Sequence, residues 1–329
     1  MDITSYLLGK NASGGGGTPS LQDKSVTITE NTTTTITADS GYDGLNTVEI
    51  TTNVSSGGDV PTLGVTFSNW DSSGYPHNAN LIGFNAVYAY YFHSINNTSL
   101  LSKLEDISFP SSFSGYFGNY AFAGCENLNI TQMPSNMANY VGSYSFENCK
   151  KLALTSLPEG ITSLGESAFN NCIALKLEKI PNSVSTIGKN CFFGCTSLTK
   201  MNMNNFASVI PTTCFYGCNS LTSVYAPNIT GVYGTTTSNS AFRGCTGLKA
   251  VWLGSSVTSA NMGLNSFAGG TNLIKIYIDL PRATVETFTN YQYAFMNNTS
   301  KVGIIVCNDD SDWLTAEQFN EIDWGTYTP

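Results

Sequence analysis

One short pattern recurs along this chain at nearly constant spacing, and it constrains the fold more than any other feature. The pattern is Ala-Phe-x-Gly-Cys-x-x-Leu, which is complete at residues 121–128. Its phenylalanine recurs at positions 122, 146, 169, 192, 215, 242, 267 and 295, with spacings of 24, 23, 23, 23, 27, 25 and 28 residues. A unit this short cannot bury its own apolar face, whereas stacked units share one continuous core. The chain is therefore expected to form a solenoid.

Three apolar positions of each copy are expected to build that core. They are the Phe, the Cys three residues later and the Leu six residues later, with the thiol acting as a small apolar group. In the six clearest copies these residues are Phe122, Cys125, Leu128, Phe146, Cys149, Leu152, Phe169, Cys172, Leu175, Phe192, Cys195, Leu198, Phe215, Cys218, Leu221, Phe242, Cys245 and Leu248. On this interpretation, Cys172→Ser places a hydroxyl in an apolar column and costs a few kcal/mol of stability.

Two further markers keep the same register. Glycine stands four residues before the Phe at positions 118, 142, 165, 188 and 263, where it suits positive φ or close backbone approach. Gly234 joins this set if residues 235–238 are an insertion. Proline follows the apolar strand at positions 134, 158, 181 and 227. The segments between these markers are the expected short stacked strands.

The repeats divide the chain into five segments. Residues 1–20 hold a mildly apolar peptide and a Gly-rich linker, which predict either a docking peptide on a flexible tether or a disordered tail. Residues 21–58 are expected to form a small β module, 59–110 an irregular N-terminal cap, 111–306 the repeats and 307–329 a C-terminal cap with a capping box at Thr315 and Gln318. The predicted fold class is α+β, mainly β: a solenoid of short stacked strands, preceded by a small N-terminal β unit and a docking peptide.

Charge and composition disfavour several classes of function. The chain has 14 basic and 23 acidic residues and a net charge of -9, so a nucleic-acid partner is not expected. No run approaches the ~20 apolar residues of a membrane span, so no membrane insertion is expected. The first ten residues lack the pattern of a signal peptide, and the odd count of nine cysteines indicates a reducing compartment.

Two groups of residues raise the question of a metal. Cys191, Cys195, Cys214 and Cys218 have spacings compatible with a zinc site, but all four also fall on apolar slots of the repeat. Cysteines in the same slot of neighbouring copies could also form a disulfide under oxidation. The acidic loop with Asp309, Asp310 and Asp312 suits calcium by ligand type but lacks the spacing of a known calcium loop. We predict no metal and no cofactor, and we leave open whether the acidic loop binds an ion.

Catalysis is not predicted, and binding is. Only His77 and His93 could act as a base near neutral pH, and neither lies in a catalytic motif. Tyrosine and tryptophan on a rigid scaffold suit contacts with a protein or a glycan. The candidate binding residues are Tyr216, Tyr225, Tyr233, Trp252 and Tyr277. Packing inside the fold is the open alternative, above all for Trp252 and Tyr277, which lie in apolar strands.

The repeat resembles the BspA-type leucine-rich repeats, which share Phe-x-Gly-Cys-x-x-Leu followed by an apolar strand, Pro and Val-x-x-Ile-Gly. The resemblance covers about 190 residues, and it implies a leucine-rich-repeat solenoid and a binding role of the kind found in surface adhesins. Residues 1–10, the Gly linker and residues 21–45 resemble the leaders of virion proteins from phages and prophages of gut bacteria.

These resemblances imply three functions. The leading hypothesis is a phage virion protein for structure or host recognition, which binds other virion proteins through its N-terminal segment and a host surface protein or glycan through the solenoid. Its expected location is the virion. The alternative is a bacterial cell-surface adhesin of the BspA type, and a glycan-cleaving enzyme is the third. Whether the chain forms a homo-oligomer is left open.

Overall fold

The fold is described from a computed structural model. It covers residues 102–109, 113–234, 239–263, 266–267, 272–273, 275–288, 305–323 and 326, together with the backbone of five strands nearer the N-terminus. The solenoid coils around a single hydrophobic column, and its copies are joined by parallel pairing of short strands. The predicted solenoid of short stacked strands is therefore confirmed.

The described strands are β1 (Lys24–Ile28), β2 (Thr33–Ile36), β3 (Val48–Thr51), β4 (Leu63–Trp70), β5 (Pro76–Ile82), β6 (Asp106–Ser108), β7 (Asn139–Val141), β8 (Ile161–Leu164), β9 (Thr186–Ile187), β10 (Lys200–Asn202), β11 (Val209–Ile210), β12 (Ser223–Ala226), β13 (Gly231–Val232), β14 (Ala250–Leu253), β15 (Lys275–Ile278) and β16 (Ile305–Cys307). The described helices are a 3₁₀ turn (Ser259–Asn261), α1 (Arg282–Val285) and α2 (Ala316–Glu321). Three parallel sheets run along the solenoid, in the orders β7-β8-β9, β11-β13 and β10-β12-β14-β15-β16.

A column of phenylalanine rings forms the centre of the core. From Phe122 to Phe267 the rings of successive copies stack with centroids 5.1 to 5.7 Å apart. The backbone follows the same step, since the N–H of Phe169 donates to the carbonyl of Cys191 at 2.9 Å, one copy further on. All eighteen residues predicted to build the core are fully buried. The position of Phe295 lies outside the described residues.

The cysteines of the column are hydrogen-bond donors as well as small apolar groups. The thiol of Cys172 donates to the carbonyl of Phe146 in the preceding copy at 3.0 Å, and Cys149, Cys195, Cys218 and Cys245 make the equivalent bond at 2.9 to 3.1 Å. Each of these thiols is buried and therefore remains protonated at neutral pH. The column thus has a ladder of thiol–carbonyl bonds that the sequence interpretation did not anticipate.

The glycine four residues before the Phe is required by close approach and not by positive φ. A Cβ on Gly165 would lie 2.4 Å from the backbone nitrogen of Ser143 in the preceding copy. The left-handed positions lie elsewhere, two residues before and two residues after the Phe. Thr213 occupies the first with φ 56°, and Asn171 occupies the second with φ 58° where other copies have Gly.

The register expected around the insertion is wrong by one residue. The N–H of Tyr233 donates to the carbonyl of Ile210 at 2.9 Å, the bond that Gly188 makes to Leu164 at 2.8 Å. Tyr233 therefore occupies the glycine position, and Gly234 lies one residue beyond it. Counting back from the Phe located Gly234 wrongly because an earlier one-residue shortening offsets part of the insertion.

The N-terminal strands differ from the expected arrangement. A three-stranded meander in residues 21–58 is not formed: β2 pairs with β3, whereas β1 pairs antiparallel with β4, and β4 with β5. The segment 59–110 thus contains two regular strands and is not an irregular cap. Residues 63–70 alternate apolar and small polar residues over most of their length, a strand signal that the sequence interpretation missed.

Candidate binding surface

The five-stranded sheet carries a continuous row of outward-facing side chains. Strand register aligns Asn202 with Tyr225, Tyr225 with Trp252, Trp252 with Tyr277 and Tyr277 with Val306. Their chain neighbours point the other way, into the core column, because side chains alternate along a strand. Two of the predicted binding residues and Tyr225 therefore lie side by side on one outward face.

The C-terminal segment covers most of this aromatic row. Phe319 on α2 and Trp313 pack on Trp252 and Tyr277, with ring centroids 5.7 to 6.1 Å apart for three of these pairs. Trp252 and Tyr277 are only 5% and 4% exposed. The expectation that they are available for a ligand is therefore corrected, and they contribute to packing because the chain folds back over them.

Helix α2 and the loop before it are held by polar contacts. The capping box is confirmed: the Thr315 hydroxyl accepts the N–H of Gln318, whose side chain accepts the N–H of Thr315. The indole N–H of Trp252 donates to the Leu314 carbonyl at 3.3 Å, and Lys275 forms an ion pair with Asp312.

The acidic loop is engaged by cationic side chains. Arg282 forms an ion pair with Asp310, to which its Nε also donates at 3.0 Å, and its backbone N–H donates to Asp309 at 2.9 Å. These hydrogen bonds, first that from Arg282, lower the pKa of Asp310. The carboxylates therefore anchor the C-terminal segment, and this differs from both the calcium loop and the solvated loop considered above.

An open groove begins where the aromatic cover ends. Its volume is about 1280 Å³, and Tyr225 lies at the boundary, with its ring 5.2 Å from Trp252 and 6.2 Å from Phe319. The groove is lined by Thr155, Lys176, Glu178, Lys179, Thr199, Lys200, Met201, Asn202, Thr222, Ser223, Tyr225, Phe319, Asn320, Glu321, Ile322 and Asp323. Of the predicted binding residues, Tyr225 alone lines it. Asn202 could have been found as the residue 23 positions before Tyr225, one repeat earlier.

The two walls of the groove carry opposite charge. The strand side presents Lys176, Lys179 and Lys200, and the helix side presents Glu321 and Asp323. Lys179 pairs with Glu159 and Lys200 with Glu178, each at 2.9 Å with side chains more than half exposed. The ammonium of Lys176 has no ion-pair partner among the residues that the structure describes. The strand wall is therefore the side suited to an acidic group.

Tyr216 and Tyr233 lie away from the groove. The ring of Tyr216 stacks on Phe193 at 4.5 Å, and the guanidinium carbon of Arg243 lies 5.5 Å from its centroid. Both faces of the ring are therefore occupied, and Tyr216 can offer only its edge and hydroxyl. Tyr233 is 44% exposed in the glycine position described above.

A tyrosine patch that the sequence interpretation missed lies at the N-terminal end of the repeats. Tyr116 stacks on Tyr140 at 4.3 Å, and Tyr120 stacks on Tyr144 at 4.8 Å. The Tyr144 hydroxyl donates to Glu166 at 2.8 Å, which raises the pKa of Tyr144. The spacing of 24 residues between partners is the signal that could have found both pairs.

The buried cysteines show no arrangement typical of a metal centre. Cys191 and Cys214 occupy the position just before the Phe, where other copies have Ala, and Cys195 and Cys218 belong to the thiol ladder. Burial raises the pKa of these thiols, whereas zinc requires thiolates. Among the described residues, no three His, Cys, Asp or Glu side chains cluster as metal ligands would. The side chain of His77 and all of His93 lie outside the described residues.

In the described part of the chain, every helix is too short or too polar to cross a membrane. A family model described as BspA type leucine rich repeat region (6 copies) matches residues 87–222 and 208–309. No curated protein matches the chain.

Several solved structures have a similar fold. One is a leucine-rich repeat protein from Bacteroides ovatus ATCC 8483, 19% identical over 66% of this chain and 81% of that chain, with a TM-score of 0.37. Another is a leucine rich cell surface protein from Faecalibacterium prausnitzii A2-165, 16% identical over 78% and 95%, with a TM-score of 0.28. The pneumococcal vaccine antigen PcpA is 14% identical over 75% and 82%, with a TM-score of 0.35. Similarities this low carry no argument about function. Because the family model covers more than half of its residues, this chain belongs to the BspA-type leucine-rich-repeat family.

Proposed function

We propose that this chain is a non-enzymatic adhesin that binds a macromolecule on the outward face of its solenoid. The observation that carries the proposal is the open groove of about 1280 Å³ beside Tyr225. The groove is built on paired strands, so its lining is held in place before a ligand arrives, which limits the entropy lost on binding. Its volume exceeds the roughly 300–1,000 Å³ of small-molecule sites, which favours a segment of a polymer.

The proposed location is the bacterial cell surface. Support comes from membership of the BspA-type family, which includes surface adhesins. The virion hypothesis depends on residues 1–55, where the structure describes only the backbone of short strands and the family model has no match. No described residue favours a virion role over the adhesin role, so the order of the two hypotheses is reversed.

Localisation and binding can be tested together. Antibodies against the solenoid are expected to label intact cells of the source bacterium, and purified chain is expected to bind host epithelial cells saturably. Mass spectrometry of phage particles from the same culture provides the comparison. Enrichment of the chain in particles, with unlabelled cells, would support the virion hypothesis and contradict this proposal. Release of sugar ends from host polysaccharide would instead revive an enzymatic role.

A further inference from the structure

The outward face of the five-stranded sheet already holds one polypeptide segment, namely the C-terminal residues 312–322 of the chain. This segment places Trp313 and Phe319 on the aromatic row and an acidic residue, Asp312, on Lys275 of the sheet. It also receives a main-chain hydrogen bond from Trp252 at Leu314. The segment therefore shows which peptide chemistry this face accommodates: aromatic side chains together with a carboxylate and a polar backbone.

The groove repeats two elements of that arrangement. Strand register aligns Lys200 with Ser223, Ala250 and Lys275, so Lys200 occupies the position of the lysine that pairs with Asp312. Tyr225 belongs to the same outward row as Trp252 and Tyr277 but remains half-buried at the groove boundary. Lys176 adds a cation to the same wall.

We infer that the groove binds a polypeptide segment that carries an acidic side chain and an aromatic side chain, in the manner of the chain's own C-terminal segment. The acidic group pairs with Lys176 and Lys200, and the aromatic group packs at Tyr225. The groove is continuous with the existing interface, since Phe319 and Ile322 belong to both. This inference rests on the proposed adhesin function and specifies the chemistry of its ligand.

Fluorescence anisotropy with the full-length chain tests the inference. The probe is a fluorescein-labelled synthetic peptide with the sequence of residues 310–323. Saturable binding is expected, and Ser223→Trp, which fills the groove floor, is expected to weaken it at least about tenfold. Thr246→Trp, on an exposed turn outside the groove, is the matched control and should leave binding unchanged.

A second variant avoids any dependence on the fold of the tryptophan mutant. Lys176→Gln combined with Lys200→Gln is expected to weaken binding about two- to fivefold and to reduce its salt dependence, because the pairs are solvent-exposed. Lys151→Gln is its control, since Lys151 is exposed and does not line the groove. Absence of saturable binding overturns the inference. Equal binding by both tryptophan variants also overturns it, because the peptide would then replace the chain's own segment.

The epithelial-cell assay separates this inference from the proposed function. If the wild-type chain binds cells and Ser223→Trp binds equally well, the adhesin function stands and the groove is not its site. If the peptide binds the groove and the chain does not bind cells, the groove chemistry stands and the adhesin function fails.

Discussion

The thiol ladder makes a prediction whose sign can be tested. The thiol of Cys172 is fully buried and donates to the Phe146 carbonyl at 3.0 Å, and that carbonyl also accepts the N–H of Cys149 at 3.1 Å. Cys172→Ala removes a packed sulfur atom and a hydrogen bond, so it is expected to cost about 2 kcal/mol. Cys172→Ser keeps a donor near the same acceptor, so it is expected to cost about 1 kcal/mol, less than the apolar column alone implies.

Cys125 is the matched control. It occupies the same position in the first described copy and is fully buried, yet its thiol has no hydrogen-bond acceptor among the described residues. Burial raises its pKa to about 12, so it remains a neutral thiol at physiological pH. Here a serine hydroxyl would be buried without a partner, so Cys125→Ser is expected to cost about 2 kcal/mol and Cys125→Ala about 1 kcal/mol.

The two pairs are therefore expected to show opposite orders of stability. Equilibrium urea unfolding followed by far-UV circular dichroism measures the free energy of unfolding of each variant. If alanine is more stable than serine at both positions, the thiol–carbonyl bond contributes nothing and the column is purely apolar. If none of the four variants changes stability, the cysteines are not buried and the assigned register is wrong.

Three further predictions concern single contacts. The Ser145 hydroxyl is buried and has no hydrogen-bond partner among the described residues, so Ser145→Ala is expected to raise the free energy of unfolding by about 1 kcal/mol, and a loss of stability in urea would contradict this. Gly165→Ala forces a Cβ to within 2.4 Å of the Ser143 nitrogen and is expected to lower thermal stability by about 1–3 kcal/mol, with an unchanged melting curve as the contrary result. The ion pair of Arg282 lowers the pKa of Asp310, so it stabilises the fold above the ordinary carboxyl pKa and this stability is lost as pH falls through the lowered value. In urea titrations, the difference between wild type and Arg282→Gln should therefore shrink below about pH 4, and a difference that does not depend on pH would refute the assignment.

The C-terminal cap combines two roles that are often separate. It covers the open end of the aromatic row, which would otherwise expose large apolar side chains to water. Its far edge, at Ile322, also forms one wall of the groove. A binding surface and the end of the core are thus built from the same six-residue helix, so variants that loosen α2 are expected to affect both stability and binding.

The sequence by itself determined the solenoid, its register and its core. Phe, Cys and Leu recur at fixed offsets, and stacking is the arrangement that buries all of them, so local pattern and global fold agree. It also located the capping box, because that motif spans only three residues. The position of Tyr233 escaped it, since an insertion and a shortening that cancel in part leave no mark in the spacing.

Only the tertiary structure decided which outward side chains remain available. Strand alternation places Trp252, Tyr277 and Tyr225 on one face, but it does not show what packs on that face. The contact that covers Trp252 joins residues 62 positions apart, and no local pattern encodes a contact of that range. The same long-range packing leaves Tyr225 beside an open groove, and it brings Lys176 and Lys200 of neighbouring copies onto the wall of that groove.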